Sequence, residues 1–513
     1  MSDATARPPP GGARSGPAAT PAAGGHWAPP PLRPVLQLIA RMLLVLGGFM
    51  LLPALLDLSQ GHPDWRPFAA SALGTALAGG LLQRLTRCEL QAGLNLRQAF
   101  VLTPLSWLAI CAFAAVPFLL SQHPGLGGNL TNAVFESVSG LTTTGSTAVS
   151  GLDEAPPGIL LWRALLQWLG GIGIIATALA ILPTLGVGGM QLFRTESSDR
   201  SEKVMPRVRQ IALAIVLTYL ALTVLCGLAY ALAGMDALDA AAHALTTIST
   251  AGFSTSDQSL ARWDNPAVHW IAIAGMLAGA LPFVLYVRLV RRDWAILRDS
   301  QVRALLGLVA TVTAGLTLWL VLRGTYGAWE ALQHAALATV SIVTTTGFAS
   351  ADYTQWGGGV VGLVFGLMFV GGCTGSTTGG MKIFRLQVMA VMLRGQFLRL
   401  LYPRGVFPRL YDGKPLPDDV IGSVVVFFTL YFICYGVLTI LLMAMELDFL
   451  TSASAAVSML SNVGAGLGPV IGPAGHFGNL PDGAKWLLCF AMLLGRLELF
   501  TVLILFMPRF WRG

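Results

Sequence analysis

Charged side chains are scarce in this chain: they make up 11% of its 513 residues, against 54% hydrophobic, whereas soluble domains carry about a quarter charged residues. That excludes an ordinary water-soluble domain. Six cysteines (Cys88, Cys111, Cys226, Cys373, Cys434 and Cys489) lie in or beside apolar runs, with no CxxC pair and no histidine at ligand spacing. They read as free core thiols rather than disulfides or a metal site. Clustered His/Asp or Ser/His sets near one end of the apolar runs are also missing, so the chain reads as no enzyme and as carrying no organic cofactor. A membrane-embedded lipid-modifying enzyme stays only as a remote alternative. Residues 1–31 are crowded with Pro, Gly and Ala and lack the continuous apolar core of a signal peptide, so they read as a disordered tail.

Apolar runs, by contrast, are abundant. A crossing needs roughly 20 apolar residues, and that length places crossings near 35–56, 66–83, 98–121, 158–182, 208–232, 266–287, 301–322, 359–393, 419–446 and 484–507. The expected fold is all-α integral membrane with ten transmembrane helices. An even number of crossings puts both termini on one side, and the loops on that side gather 26 of the 32 basic residues. Arg66, Arg163, Arg262, Arg323 and Lys485 fall near the other face, and Arg496 inside the last span. The excess fixes both termini as cytoplasmic. It also accounts for the net charge of +7, leaving no nucleic acid as partner and membrane lipid as the surroundings. The outer loops hold Asp153, Glu154, Asp236, Asp239, Asp257 and Asp264; they either concentrate cations at a mouth or are solvated loop acids.

Four short stretches are left over, near 131–142, 238–249, 329–343 and 450–461, too brief and too polar to cross. Each runs into a turn with a glycine: Thr143-Thr144-Gly145, Thr250-Ala251-Gly252, Thr345-Thr346-Gly347 and Asn462-Val463-Gly464. The glycines stand about a hundred residues apart, room for two spans, a loop and the short stretch. One such turn carries little weight, because glycine-containing Thr turns are common; four in the same slot imply a repeated unit. The units take residues 89–190, 191–293, 294–395 and 396–513, with residues 32–88 as two extra N-terminal spans. A desolvated cation needs closely placed oxygen dipoles, and glycine allows successive carbonyls to face one axis. The twelve turn residues are therefore the candidate alkali-ion ligands, through their backbone carbonyls. If the short helices run inward, the negative ends of their dipoles face the centre.

The eighth crossing is far longer than a span requires and carries Gly371, Gly372, Cys373, Thr374, Gly375, Ser376, Thr377, Thr378, Gly379 and Gly380. A continuous helix is disfavoured there, and irregular backbone at membrane depth must be buried in protein or face water; a flexible, close-packed helix crossing is the other reading. Arg496 sits among leucines, where a charge costs at least about 3 kcal/mol. It should face the cavity. Glu498, two residues on, cannot share its helical face. Lys382 and Arg385 read as cytoplasmic interface charges. Glu136, His243 and His334 read as solvated or bonded to the turns rather than as ion ligands. The run 171–176 fits a dinucleotide pattern on paper but lies inside a span without a preceding strand, and 375–382 lacks phosphate-loop spacing. Neither is a nucleotide site.

At this point the residues resemble a known family, the bacterial Trk/Ktr and plant HKT potassium transporters, and within it the TrkH/TrkG branch. The resemblance rests on FESVSGLTTTG (135–145), QWLGGIG (167–173), GVGGMQ (186–191), GGCTGSTTGGMK (371–382) and GRLE (495–498). The two leading spans are similar to TrkH and absent from KtrB. The resemblance implies potassium uptake across a bacterial inner membrane, potassium bound in the four-turn filter, and the 371–380 loop with Arg496 as an intramembrane gate and positive barrier. Arg496 alternatively binds loop carbonyls, and both roles are compatible. It further implies a homodimer docked on a cytosolic ring of TrkA-type nucleotide-binding subunits. A carrier coupling potassium to a proton or sodium, and a less selective potassium/sodium conductor, remain the competing functions.

Overall fold

The computed structural model describes residues 32–88, 94–180, 204–294, 298–473 and 475–511. The expected N-terminal tail and the 186–191 motif lie outside the described residues. Long apolar runs without internal polar partners satisfy their backbone within themselves, and helix is the only single-segment way to do so in hydrocarbon. Five described helices are long and apolar enough to cross a membrane: Arg33–Ser59, Leu96–Leu120, Ala212–Leu232, Ser300–Leu322 and Asp418–Met443. The number rises to seven if each of two bent pairs is one span.

Those helices expose one side to the bilayer. Leu217, Leu225 and Leu228 on one helix, and Ile433, Val437 and Ile440 on another, are more than half exposed. Apolar exposure on this scale marks an interface when the solvent is water; on helices of crossing length it is the lipid-facing side. The first helix, Arg33–Ser59, packs on Trp65–Leu85 through Val35, Ile39, Leu43, Leu46 and Met50, all buried. This leading pair is tied to the rest by a carboxylate. Asp57 Oδ1 accepts the amide of Gly158 at 2.6 Å, satisfying one of the orphan donors in the first turn of Pro157–Ala180.

After that pair, one order of elements occurs four times. A long helix leads to a short one, Leu130–Leu141, Ala237–Ile248, Ala328–Val343 or Phe449–Ser461, then to an irregular turn, then to another helix. Caps set where the short helices begin. Asn129 and Asp448 accept the amides of Asn132 and Thr451 at 3.0 Å, the usual N-cap bond.

Two expected crossings are broken helices rather than straight ones. The stretch 266–287 was expected as one helix, but Pro266–Ala280 and Phe283–Val290 meet at 92°. Pro282 forces Leu281 into extended backbone, ψ 155°, because the ring clashes with a helical preceding residue. The stretch 484–507 breaks likewise, Asp482–Arg496 and Leu499–Phe506 meeting at 113°, with Glu498 at φ 64° between them. The all-helix expectation also meets a small exception. Leu410–Tyr411 pairs with Lys414–Pro415 across Asp412 and Gly413, both at positive φ, the Asp-Gly hairpin turn.

Candidate functional site

Each short helix ends in the same conformation. The second residue past the helix is left-handed, Thr143 at φ 53°, Thr250 at 51°, Thr345 at 54° and Asn462, the helix's own cap, at 55°. Two residues further on stands a glycine, also at positive φ: Gly145, Gly252, Gly347 and Gly464. Between them, the amides of Thr144, Ala251, Thr346 and Val463 bond back to Ser139, Thr246, Ser341 and Ser458 carbonyls at 2.8–3.0 Å. This back-bonding is how a left-handed cap terminates a helix. For threonine the left-handed region costs roughly 1–2 kcal/mol, so three such residues persist only because their surroundings hold them. Part of that hold is local: Thr142 and Thr144 hydroxyls meet at 2.7 Å, and Thr344 and Thr346 at 2.8 Å.

The fourth turn departs most in sequence yet keeps nearly the same geometry. Asparagine tolerates left-handed backbone through its short polar side chain. Here Asn462 Nδ2 also donates to Thr144 Oγ1 at 3.0 Å and to the Met492 carbonyl at 2.9 Å, tying the fourth turn to the first.

The four turns close on one another in cyclic order. A Cβ on Gly145 would meet the Ala251 carbonyl oxygen at 2.0 Å; on Gly252, Thr346 at 1.8 Å; on Gly347, Val463 at 2.4 Å; on Gly464, Thr144 at 2.0 Å. Each glycine thus lies against the residue preceding the next glycine, and the fourth returns to the first. All four line a single cavity of about 310 Å³, together with Asp257 and His476. The carbonyls of Thr143, Thr144, Gly145, Thr250, Gly252, Thr345, Thr346, Gly347, Asn462 and Val463 accept no hydrogen bond among the described residues. Two of the candidate residues are partly committed elsewhere. The Ala251 carbonyl accepts from Gln167 Nε2 at 2.8 Å, and the Gly464 carbonyl from Ser146 Oγ at 2.9 Å.

A buried scaffold behind the ring was not foreseen from sequence. Arg163, expected near the outer face, is 1% exposed and pairs with Glu136, which is fully buried, at 3.2 Å. Its Nη1 donates to the Ser254 carbonyl at 2.8 Å, and its guanidinium lies 4.0 Å from the Phe253 ring centre. Glu136 in turn accepts the Ala148 amide at 2.7 Å. Gln167, one helical turn on from Arg163, accepts from the Phe253 amide while donating to Ala251. Arg163 and Gln167 are four apart and share a helix face, the one sequence signal that marked them. His243 is likewise a support, its Nε2 3.0 Å from Ser254 Oγ, and His334 Nδ1 meets Ser350 Oγ at 2.8 Å.

Below the ring, the chain is helical over Gly358–Leu367, irregular to Lys382, and helical again from Ile383. The irregular stretch is stitched to the turns and to the other broken helices. Thr377 Oγ1 meets Thr250 Oγ1 at 2.9 Å, Gly379 donates to Thr345 Oγ1 at 2.8 Å, and Cys373 to the Ala280 carbonyl at 3.1 Å. Gly371 and Met381 bond across its neck at 2.9 Å. Arg496 Nη1 donates to the Thr377 carbonyl at 2.9 Å. Its Nε and Nη2 are buried with no partner among the described residues. Lys382 and Arg385, expected as cytoplasmic interface charges, are corrected: Lys382 Nζ donates to the Thr378 carbonyl. Arg385 is buried, bridges to Glu498 at 2.6 Å and lies over the Phe427 ring. Glu498 finds its partner here.

Comparison with known proteins agrees with this architecture. The family model of the cation transport protein TrkH matches residues 68–512. The chain is 48% identical over 489 residues to the Trk system potassium uptake protein TrkI of Halomonas elongata, covering 95% of this chain and 97% of that one. It is 36% identical over 485 residues to the Trk system potassium uptake protein TrkH of Escherichia coli, covering 94% and 99%. The crystal structure of the potassium transporter TrkH from Vibrio parahaemolyticus superposes with a TM-score of 0.86 at 35% identity, covering 94% of this chain and all of the other. The chain belongs to the TrkH family of cation transport proteins. It is a multi-pass membrane protein and a transporter rather than an enzyme.

Proposed function

We propose that this protein conducts potassium into a bacterial cell through the ring of four turns, with the 371–380 loop and Arg496 as the barrier beneath it. The closed cyclic contact of Gly145, Gly252, Gly347 and Gly464 carries the proposal. It brings together four turns, ten of whose twelve carbonyls are unengaged among the described residues and whose glycines line one cavity, the arrangement that replaces a cation's water. The C-terminal ends of four short helices reach the same place and favour positive charge there. In this reading the chain makes ten crossings as four pore units after two leading spans, with both termini cytoplasmic in the inner membrane. It works as a homodimer on cytosolic TrkA-type nucleotide-binding subunits.

Coupled carriage of a proton or sodium would call for a free acid at membrane depth. Two buried or half-buried acids near the ring and the loop are committed, Glu136 to Arg163 and Glu498 to Arg385, which favours a gated pore. Purified protein in liposomes under a potassium or sodium gradient, with and without the cytosolic partner, tests the reading. Gly145→Ser is expected to raise sodium flux relative to potassium, since its Cβ crowds the Ala251 carbonyl and spreads the ring. Unchanged relative fluxes would overturn the filter assignment.

A further inference from the structure

Away from the ring, a cleft of about 470 Å³ opens between three helices, Arg33–Ser59, Leu96–Ala114 and Pro157–Ala180. That volume falls in the range of roughly 300–1,000 Å³ typical of ligand pockets. One wall is a helix face, Met42, Val45 and Phe49 at i, i+3 and i+7; the floor is Trp107 and Leu141. Two hydroxyl residues line it, yet neither offers its proton. Thr103 donates to the Ala99 carbonyl and Ser106 to the Thr103 carbonyl, each on their own helix. The interior is therefore apolar, and such a space stays dry and takes up apolar groups.

The mouth is different. Arg41 is the one charged residue lining the cleft, it is exposed, and it forms no hydrogen bond or ion pair among the described residues. Met42 and Val45 beside it are 42% and 59% exposed, so the cleft opens sideways on the lipid-facing surface. Arginine two turns from a helix start reaches the headgroup level by extending its stem along apolar surface.

We infer that this cleft binds one anionic phospholipid of the surrounding bilayer, an acyl chain in the cleft and the phosphate headgroup on Arg41. The acyl chain then touches Leu141, the last residue of the first short helix, and Gly170, which packs against the Leu141 carbonyl. The inference is independent of what passes through the ring.

The test uses the full-length protein, titrated with dioleoyl phosphatidylglycerol or dioleoyl phosphatidylcholine, with lipids bound per chain counted by native mass spectrometry. One phosphatidylglycerol should be retained at a concentration roughly fivefold below phosphatidylcholine, the worth of one basic residue at an anionic headgroup. R41Q should remove that preference, and V45W, on the exposed rim, should lose the retained lipid of either kind. Thermal unfolding of both variants confirms that they fold. Equal retention of the two lipids by the unaltered protein, or undiminished phosphatidylglycerol on V45W, would show annular lipid only and overturn the site. Because the readout is lipid count, its failure leaves the flux test of the filter untouched.

Discussion

The ring of turns and the loop beneath it are both glycine-rich, both irregular and both buried, and they differ in how uniformly they are held. In the ring, every glycine is backed by a neighbour's carbonyl, with no space for even one added carbon. In the loop, Gly375 stands at φ 82° with nothing near its missing side chain. Gly371 and Gly379 are backed by carbonyls as in the ring, and Cys373 and Thr377 bond through their amides to Ala280 and Gly279; around the open tip the loop adds separable side-chain bonds, from Thr250, Thr345, Lys382 and Arg496. Backbone packed on backbone yields only by moving its neighbours; hydroxyl and guanidinium bonds, each worth about 0.5–3 kcal/mol, exchange one at a time. In the proposed reading, the ring is the part that stays and the tip of the loop the part that releases.

A pair of equivalent substitutions breaks this comparison most sharply. Gly252→Ala places a carbon 1.8 Å from the Thr346 carbonyl and is expected to cost more than about 4 kcal/mol, the range of severe overpacking, with loss of potassium flux. Gly375→Ala should cost only about 1–2 kcal/mol for the left-handed backbone, with flux retained. Similar thermal unfolding of the two would erase the distinction. Next in size is the scaffold. Glu136→Gln strands Arg163 as a buried unpaired charge, a loss of about 3–5 kcal/mol, and Glu136→Gln with Arg163→Met should recover most of it in the same assay.

On the releasable side the readout is flux rather than stability. Arg496→Ala, or deletion within 375–379, removes the barrier and should raise potassium flux in liposomes several-fold. Slower transport by well-folded protein contradicts the role assigned to the loop. The smallest effect sharpens the comparison among the turns themselves. Asn462→Thr gives the fourth turn the residue of the other three and loses the bonds to Thr144 and Met492, about 1 kcal/mol each. Potassium conduction should persist, and its loss would mean that the fourth turn is not equivalent to the rest.

Much of this was legible in the sequence because hydropathy and glycine placement are local signals. The short helices are found where polarity interrupts the apolar runs, and the irregular stretch lies where glycines crowd 371–380. The bends at Leu281–Pro282 and at Glu498 escaped for a physical reason. Both sit inside runs apolar enough to cross, and length alone reads a run as straight. Pro282 was a visible signal; Glu498 at positive φ was not. The scaffold escaped differently. Arg163 looked like an interface charge because its partner, Glu136, is 27 residues away, and pairing across helices leaves no periodicity. The same holds for Arg385 and Glu498. In the fourth turn, a change of residue type suggested divergence where the backbone has none, since asparagine reaches by tolerance the conformation that threonine reaches by constraint.

The cyclic contact among the glycines has one more consequence. A displacement of any turn presses on the next and, after one circuit, arrives back where it began. Each quadrant therefore braces the next, and none has room to swing as a separate hinge. In the proposed pore, control over passage then falls to elements outside that closed circuit.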